Sequence, residues 1–219
     1  MSAQPRLSNL RLWAVKEQEC LDVLAEALSR LAANPGPEPD EDSINRRLMR
    51  FLDAVTQSRM HRSGGSTLPP AVYEGRSSPA PSDPARASRE FKRPDFAWLW
   101  IDDLAADPAL SRREFVVECK RLGADPFPAR YVADGILRFI SRSHEYGKDM
   151  RSGAMVGYLQ SILVDVAIER VNAAATSANV PRLQLRDRRG DDAAKLEHRV
   201  CRGFAISPFS LTHLWIRLT

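Results

Sequence analysis

The N-terminal part of the chain carries apolar residues at the spacing of two amphipathic helices. A first helix is predicted over residues 9–33, and Asn34–Pro37 stops it. Its apolar face consists of Trp13, Cys20, Leu21, Leu24, Leu28 and Leu31. A second helix follows Asp40–Ser43, which supplies acidic and capping residues. Its apolar stripe consists of Ile44, Leu48, Phe51, Leu52 and Val55, and its exposed side is expected to carry Asn45, Arg46, Arg47 and Arg50.

A different pattern, typical of a β-hairpin, occupies the middle of the chain. Two short runs, Asp95–Ile101 and Glu114–Lys120, are rich in aromatic and β-branched residues and flank a polar loop with Pro and Asp. In an antiparallel hairpin the start of the first strand lies opposite the end of the second. We therefore expect two antiparallel strands that bring Asp95 close to Glu118 and Lys120.

The C-terminal part is predicted to contain two further helices and one strand. Apolar positions predict one helix over residues 131–140 and a longer one over residues 155–171, separated by a polar loop at 141–153. Residues 180–194 form a charged segment that is expected to be exposed, and residues 211–218 alternate as in a strand. Helices on both sides of a short mixed sheet define an α/β domain.

Three regions are expected from these elements. Residues 1–60 form an N-terminal helical extension that packs on the core, and residues 91–219 form the α/β core. Between them, residues 61–90 are rich in Pro, Ser and Gly, which predicts a flexible linker, with Val72 and Tyr73 as possible anchors to the core.

Composition narrows the functional classes. The chain has 219 residues and a net charge of +4, has no apolar run that could span a membrane and begins without a signal-peptide core. We expect a cytoplasmic protein. Of the 32 basic residues only five are lysine. Arginine suits phosphate recognition, although a GC-rich genome would explain the same bias. No phosphate-loop or GxSxG motif is present.

The charged groups at the end of the hairpin suit metal-assisted hydrolysis. Side chains alternate along a strand, so Glu118 and Lys120 share one face while Cys119 faces the other. Asp95 and Glu118 offer the oxygen ligands that a hard divalent cation prefers, and the backbone carbonyl of Cys119 is a third candidate. Magnesium usually keeps several waters, and one of these is a candidate nucleophile for a phosphate. Lys120 could orient or deprotonate that water, or neutralise charge on the phosphate.

These residues carry a family resemblance. Arg93-Pro94-Asp95, followed after 22 residues by Glu118-Cys119-Lys120, resembles the PD-(D/E)XK nuclease superfamily, which has the restriction-endonuclease-like fold. The resemblance implies a DNA endonuclease in which Asp95 and Glu118 bind Mg²⁺ or Mn²⁺ and Lys120 is catalytic. Many members add an acidic residue from an upstream helix. Glu41 is the candidate here and Asp42 the fallback, while plain helix capping is the alternative for both.

The expected contacts with nucleic acid are less well defined. Many family members carry Gln on the helix after the lysine, whereas this chain has Tyr131 and Arg138 there. These two residues, with Lys148 and Arg151 in the following loop, are the predicted nucleic-acid contacts. DNA is the expected partner, and the resemblance suggests restriction or anti-phage defence, as a homodimer or in a larger complex. The alternatives are a non-catalytic nuclease-like subunit, which binds nucleic acid or a protein, and a surface ion pair without function.

Overall fold

The fold is built around one mixed sheet of seven strands. The structure is a computed structural model that describes residues 7–34, 36, 40–62, 68–74, 93–103, 105, 111–203 and 206–218. Its strands are β1 (Val72–Tyr73), β2 (Phe96–Ile101), β3 (Arg112–Leu122), β4 (Ser152–Leu159), β5 (Gln184–Arg189), β6 (Ala193–Val200) and β7 (Phe209–Arg217). They are arranged in the order β1-β2-β3-β4-β7-β6-β5. The two pairs β3–β4 and β4–β7 are parallel, and the other four pairs are antiparallel.

Helices cover both faces of this sheet. The helical elements are α1 (Leu7–Ala33), α2 (Glu41–Arg62), α3 (Phe127–Tyr131), a π-helical segment (Val132–Ile136), α4 (Leu137–Ile140) and α5 (Val164–Ser177). One face packs against α1 and α2, and the other packs against α3, the π-helical segment, α4 and α5. The α/β class with a mixed sheet flanked by helices is therefore confirmed.

The two N-terminal helices belong to one of the two hydrophobic cores of the sheet. Leu24 on α1 and Leu48 on α2 are both fully buried, in the same cluster as Phe115 and Val117 of β3. The start of α2 is capped as its sequence predicts, because the backbone N–H of Ser43 donates to Asp40 Oδ1 at 2.9 Å. The expected boundary near residue 60 thus does not separate two independent cores.

Part of the expected linker, residues 61–90, lies in the sheet. Val72 and Tyr73 form β1 and pair with Ala97 and Phe96 of β2, and Leu68 is only 2% exposed. Residues 63–67 and 75–90 lie outside the described residues, so the expected flexibility of the linker stays a prediction there.

The hairpin has the predicted form and register. Phe96 pairs with Val117 and Ile101 with Arg112, so Asp95, one residue before β2, lies next to Glu118. The second strand begins two residues earlier than predicted, at Arg112, and ends at Leu122. The predicted final strand is also present as β7.

Two other sequence predictions were wrong. Residues 155–171 do not form one helix, because Ser152–Leu159 is the buried strand β4 and the helix α5 begins only at Val164. A strand buried on both faces is a continuous apolar run, which the periodicity of a short segment cannot distinguish from a buried helix. Most of residues 180–194 are exposed as expected, but Val180, Leu183 and Ala194 are buried. The segment also contains the edge strand β5 and the start of β6.

Candidate active site

Asp95 and Glu118 meet at the end of the hairpin because of the strand register. The carboxylate of Asp95 accepts a hydrogen bond from the backbone N–H of Cys119 at its Oδ2 atom, over 2.7 Å. This bond holds Asp95 against β3 between Glu118 and Lys120. Glu118 itself is only 1% exposed, because it lies on the face of β3 that α4 covers. The hairpin thus holds both acids in place through backbone geometry.

The ammonium group of Lys120 lies where several oxygen atoms converge. Its Nζ atom is 2.8 Å from Glu41 Oε1, 3.0 Å from Glu118 Oε1 and 4.0 Å from Asp95 Oδ2. It also donates to the backbone carbonyl oxygen of Cys119 at 2.7 Å. The carbonyl of Cys119 therefore faces the cluster, while its side chain is buried on the opposite face of the sheet. Four oxygen atoms thus surround the ammonium group of Lys120, and those of Glu41, Glu118 and Cys119 are close enough to accept hydrogen bonds from it.

The first turn of α2 contributes two side chains to the same cluster. Besides its contact with Lys120, Glu41 accepts the backbone N–H of Arg121 at 3.1 Å. Four residues later, Asn45 Nδ2 donates to Asp95 Oδ1 at 3.1 Å, and Asn45 Oδ1 accepts from the hydroxyl of Tyr158 at 2.8 Å. Residues four apart share one face of a helix. Glu41 and Asn45 thereby attach the start of α2 to β3 and β4 and to Asp95. Of the two acids considered in the sequence, Glu41 lies in the cluster and Asp42 is exposed.

A second cation reaches the cluster from the opposite layer. Arg138, on α4, donates through NH1 to Glu118 Oε1 at 2.6 Å, the same oxygen that lies near Lys120. The other oxygen, Glu118 Oε2, is buried and has no hydrogen-bond partner. The guanidinium of Arg138 also lies within hydrogen-bonding reach of the buried Tyr146 hydroxyl. An unpaired buried carboxylate oxygen is costly in a folded protein.

For both Asp95 and Glu118, the cost of burying a charged carboxylate outweighs the stabilising effect of the nearby cations on its pKa. Burial raises the pKa of Asp95 to about 6, against the opposing effects of Lys120 and the Cys119 N–H. Burial also raises the pKa of Glu118, with a further contribution from the Asp95 charge. Burial alone would lower the pKa of Lys120, but Glu118, Asp95 and Glu41 outweigh it and raise the pKa. The raised pKa and the short contacts with Glu41 and the Cys119 carbonyl favour the ammonium form of Lys120, which donates hydrogen bonds to both.

The donor set fits a hard divalent cation. Carboxylates from Asp95, Glu118 and Glu41 and the carbonyl of Cys119 are the oxygen ligands that Mg²⁺ and Mn²⁺ accept. Glu118 Oε2, which has no hydrogen-bond partner, is available as a ligand for such an ion. In the described part of the chain, however, no three or more His, Cys, Asp or Glu side chains are already arranged as a metal site. The ammonium of Lys120 and the guanidinium of Arg138 lie at these oxygens, so a bound ion would compete with them for Glu118.

A basic cleft opens beside the cluster. It has a volume of about 310 Å³ and is lined by Glu41, Lys120, Arg121, Phe127, Arg130, Asp134 and Arg138. Four of these residues are cations and two are acids. The guanidinium of Arg121 packs over the ring of Phe127, with a distance of 4.8 Å to its centroid. Arginine-rich surfaces bind phosphate through charge and bidentate hydrogen bonds. The cleft offers such a surface next to the three motif residues.

Of the four predicted nucleic-acid contacts, only Arg138 lies at the cluster. Tyr131 is fully buried, where its hydroxyl hydrogen-bonds with His213 at 2.8 Å and accepts from Trp215 Nε1 at 2.9 Å. Its predicted role in nucleic-acid binding is therefore wrong, because the side chain belongs to the core between α3 and β7.

Lys148 and Arg151 lie in the loop before β4. The backbone carbonyl of Asp149 in this loop accepts from Arg113 at 3.2 Å, and Arg113 is seven residues before Lys120 on β3, roughly 23 Å away along a strand. The structure thus places these two residues at the other end of β3 from the cluster.

Asn45 was predicted on the exposed side of its helix, but it is fully buried. A signal was present, because Asn45 precedes Leu48 and Leu52 by three and seven residues and so lies on the apolar stripe. The two arginines that follow it, Arg46 and Arg47, favoured the assignment of Asn45 to the polar side of the helix. Arg121 and Arg130 were also not predicted at the site. They line the cleft because the end of β3 and the start of α3 lie beside it, and the apolar periodicity of the sequence does not show how these two ends are placed.

Comparisons with known proteins add no relative. The chain matches no protein-family model, no curated protein and no solved structure. Across the described residues, no helix is long and apolar enough to cross a lipid bilayer.

Proposed function

We propose that this chain is a divalent-metal-dependent phosphodiesterase, a DNA endonuclease of the PD-(D/E)XK type with a restriction-endonuclease-like core. The observation that carries the proposal is the convergence of Asp95, Glu118 and Lys120 on one strand end, with Glu118 Oε2 buried and unpaired. Surface ion pairs expose both partners, whereas Glu118 is 1% exposed here. This burial argues against a chance ion pair without function.

Each residue then has a distinct role. Asp95, Glu118 and Glu41, with the carbonyl of Cys119, would hold Mg²⁺ or Mn²⁺. The ion, when bound, supplies a Lewis acid for the phosphate. Lys120 carries a positive charge next to these acids and faces the cleft, so it neutralises charge that develops on the reacting phosphate. Asn45 holds Asp95 from α2. The basic residues of the cleft would bind the phosphodiester backbone.

A nuclease assay with a matched lysine control tests the proposal. Purified protein is incubated with Mg²⁺ or Mn²⁺ and plasmid, linear duplex or single-stranded DNA. Lys120→Ala is expected to lower the cleavage rate by at least about 100-fold, as is usual when a group that stabilises developing charge is removed. Lys195→Ala, on β6 at the far side of the sheet, should cleave at the wild-type rate. Cleavage by Lys120→Ala at the wild-type rate would show that the site is wrongly assigned.

A non-catalytic subunit is the second candidate, and one observation favours it. Lys120 and Arg138 already form ion pairs with Glu118 Oε1, so the charge of Glu118 has partners without any added metal ion. Calorimetric titration with Mn²⁺ separates the two candidates, because a catalytic site must bind the ion and a non-catalytic one need not. Expectations of a role in restriction or anti-phage defence, of a homodimer or larger complex, and of a cytoplasmic location stay predictions, because the site itself does not bear on them.

A further inference from the structure

Two cations share a single oxygen of Glu118. Arg138 NH1 is 2.6 Å and Lys120 Nζ 3.0 Å from Glu118 Oε1, while Glu118 Oε2 has no partner. The cluster contains three carboxylates, from Glu41, Asp95 and Glu118, and these two cations. With all five groups charged, the net charge of the cluster is negative by one. A divalent ion bound by the same carboxylates would make it positive by one. Like charges a few ångströms apart repel strongly in a poorly solvated site, so one of the two cations has to leave.

Arg138 is the less constrained of the two cations, although its guanidinium also reaches the uncharged hydroxyl of Tyr146. Lys120 is 13% exposed and has additional short contacts with Glu41 and the carbonyl of Cys119. Arg138 is 28% exposed, and Glu118 is the carboxylate that it contacts. Its side chain also lines the basic cleft with Arg121 and Arg130. Release from Glu118 would therefore leave the guanidinium beside the cleft, where a phosphate can replace the lost carboxylate.

We propose that Arg138 is an exchange residue, which binds Glu118 until a divalent cation takes that carboxylate and then turns into the cleft to bind a backbone phosphate of the substrate. The inference rests on the proposed function and adds that metal binding and nucleic-acid binding favour each other. Coupling of this kind is reciprocal and commonly amounts to between about 5-fold and 150-fold in affinity. Since a phosphate contact carries no sequence information, Arg138 would strengthen binding to any DNA sequence.

Metal titration of one variant tests the first half of the proposal. Arg138→Met removes the competing cation and keeps an apolar stem of similar length. Its affinity for Mn²⁺, measured by calorimetry, is expected to exceed that of the wild type by at least about 5-fold. Arg130→Met, which removes a cation of the same cleft without a contact to Glu118, should bind Mn²⁺ as the wild type does. Arg138→Gln is measured in parallel with the same expectation, in case the Met variant does not fold.

Binding of a labelled DNA duplex tests the second half. Fluorescence anisotropy is measured at constant ionic strength with and without Ca²⁺, which prefers the same oxygen ligands. The wild type is expected to bind the duplex more tightly with the ion, and Arg138→Met should lose this gain. Arg130→Met should bind more weakly by the same factor in both conditions.

The outcomes separate this inference from the proposed function. If the wild type binds Mn²⁺ and Arg138→Met binds it equally or more weakly, Arg138 does not compete with the ion and the inference is wrong, while the proposed function stands. If neither protein binds Mn²⁺, removal of the competitor creates no site, and the inference and the metal-dependent function both fail. A duplex affinity of the wild type that does not change with Ca²⁺ also contradicts the coupling.

Discussion

Replacement of Asn45 by alanine is the most informative perturbation of this site. Asn45 is fully buried and joins two groups that cannot reach water easily. It donates to Asp95 Oδ1 at 3.1 Å and accepts the hydroxyl of Tyr158 at 2.8 Å. Asn45→Ala removes both bonds at once. It should therefore destabilise the fold and also release Asp95 on the side that faces α2.

The magnitude follows from these two bonds. A hydrogen bond to a charged group contributes about 1.5–3 kcal/mol, and a buried polar group left unpaired costs about 1–3 kcal/mol. Tyr158 is fully buried, and the Cys119 thiol within its reach is only a weak partner. We expect a loss of about 3–5 kcal/mol in the free energy of unfolding. This is a large part of the 5–15 kcal/mol that is usual for a folded protein.

Urea unfolding followed by tryptophan fluorescence measures this loss. The chain has four tryptophans, and Trp98 and Trp215 are fully buried, so unfolding changes their surroundings. A loss of this size should lower the midpoint by roughly 1–2 M urea. Tyr158→Phe combined with Asn45→Ala should be no less stable than Asn45→Ala alone, because the second change removes a hydroxyl that has already lost its acceptor.

A second buried asparagine provides the control for catalysis. Asn172 on α5 accepts the backbone N–H of Leu183 at 2.7 Å and donates to the carbonyl of Leu183 at 3.3 Å, on the other face of the sheet. Asn172→Ala should lose stability similarly but keep its cleavage rate, whereas Asn45→Ala should cleave more slowly at a temperature where both are folded. Equal cleavage rates, or losses of stability that add for Asn45→Ala and Tyr158→Phe, would refute the role assigned to Asn45.

Two further predictions concern a buried histidine on β6 and a buried glycine in the π-helical segment. Burial lowers the pKa of His198 to about 4, and its Nδ1 lies 2.8 Å from His213 Nε2. The unfolded chain takes up this proton below about pH 6.5 and the folded chain only near pH 4, so the contribution of His198 to stability is complete above pH 6.5 and is lost as the pH falls towards 4. Urea unfolding of the wild type minus that of His198→Gln should show this slope, at most about 1.4 kcal/mol per pH unit, and a difference that does not vary with pH would contradict it. A Cβ at Gly135 would clash with Met155 Cε and lie 3.5 Å from Lys120 Cγ. Gly135→Ala should therefore cost about 1–3 kcal/mol of stability by overpacking and slow cleavage through displacement of Arg138, whereas wild-type values for both in the same assays would show that the π-helical segment can shift without cost.

The sequence was sufficient to predict the hairpin and with it the meeting of Asp95, Glu118 and Lys120. This succeeded because a short hairpin is a local structure, in which the strand period and the position of the loop fix the register. The strands β4 and β5 were missed for two different physical reasons. The buried β4 has no polar face to show a period of two, and the exposed β5 has no apolar face.

The long-range part of the site could not be predicted in the same way. Glu41 and Asn45 reach Lys120 and Asp95 because α2 packs on the sheet. Arg138 reaches Glu118 from α4, which follows a π-helical segment. Neither packing angle nor helix irregularity follows from the apolar pattern. Lys148 and Arg151, which were predicted to contact nucleic acid, lie at the far end of β3, and their positions in the sequence do not show this.

The docking of α2 also sets the smallest piece of this chain that can carry the site. Glu41 and Asn45 lie more than 50 positions before Glu118, and Leu48, Leu52 and Val55 of the same helix cover the apolar face of β2 and β3. A shortened chain that starts after residue 62 would keep Asp95, Glu118 and Lys120. It would lack Glu41 and Asn45, which contact Lys120 and Asp95 from α2. It would also expose to water the aromatic face of the sheet that α2 covers. Fragments and fusions designed to retain this site should therefore begin before Asp40.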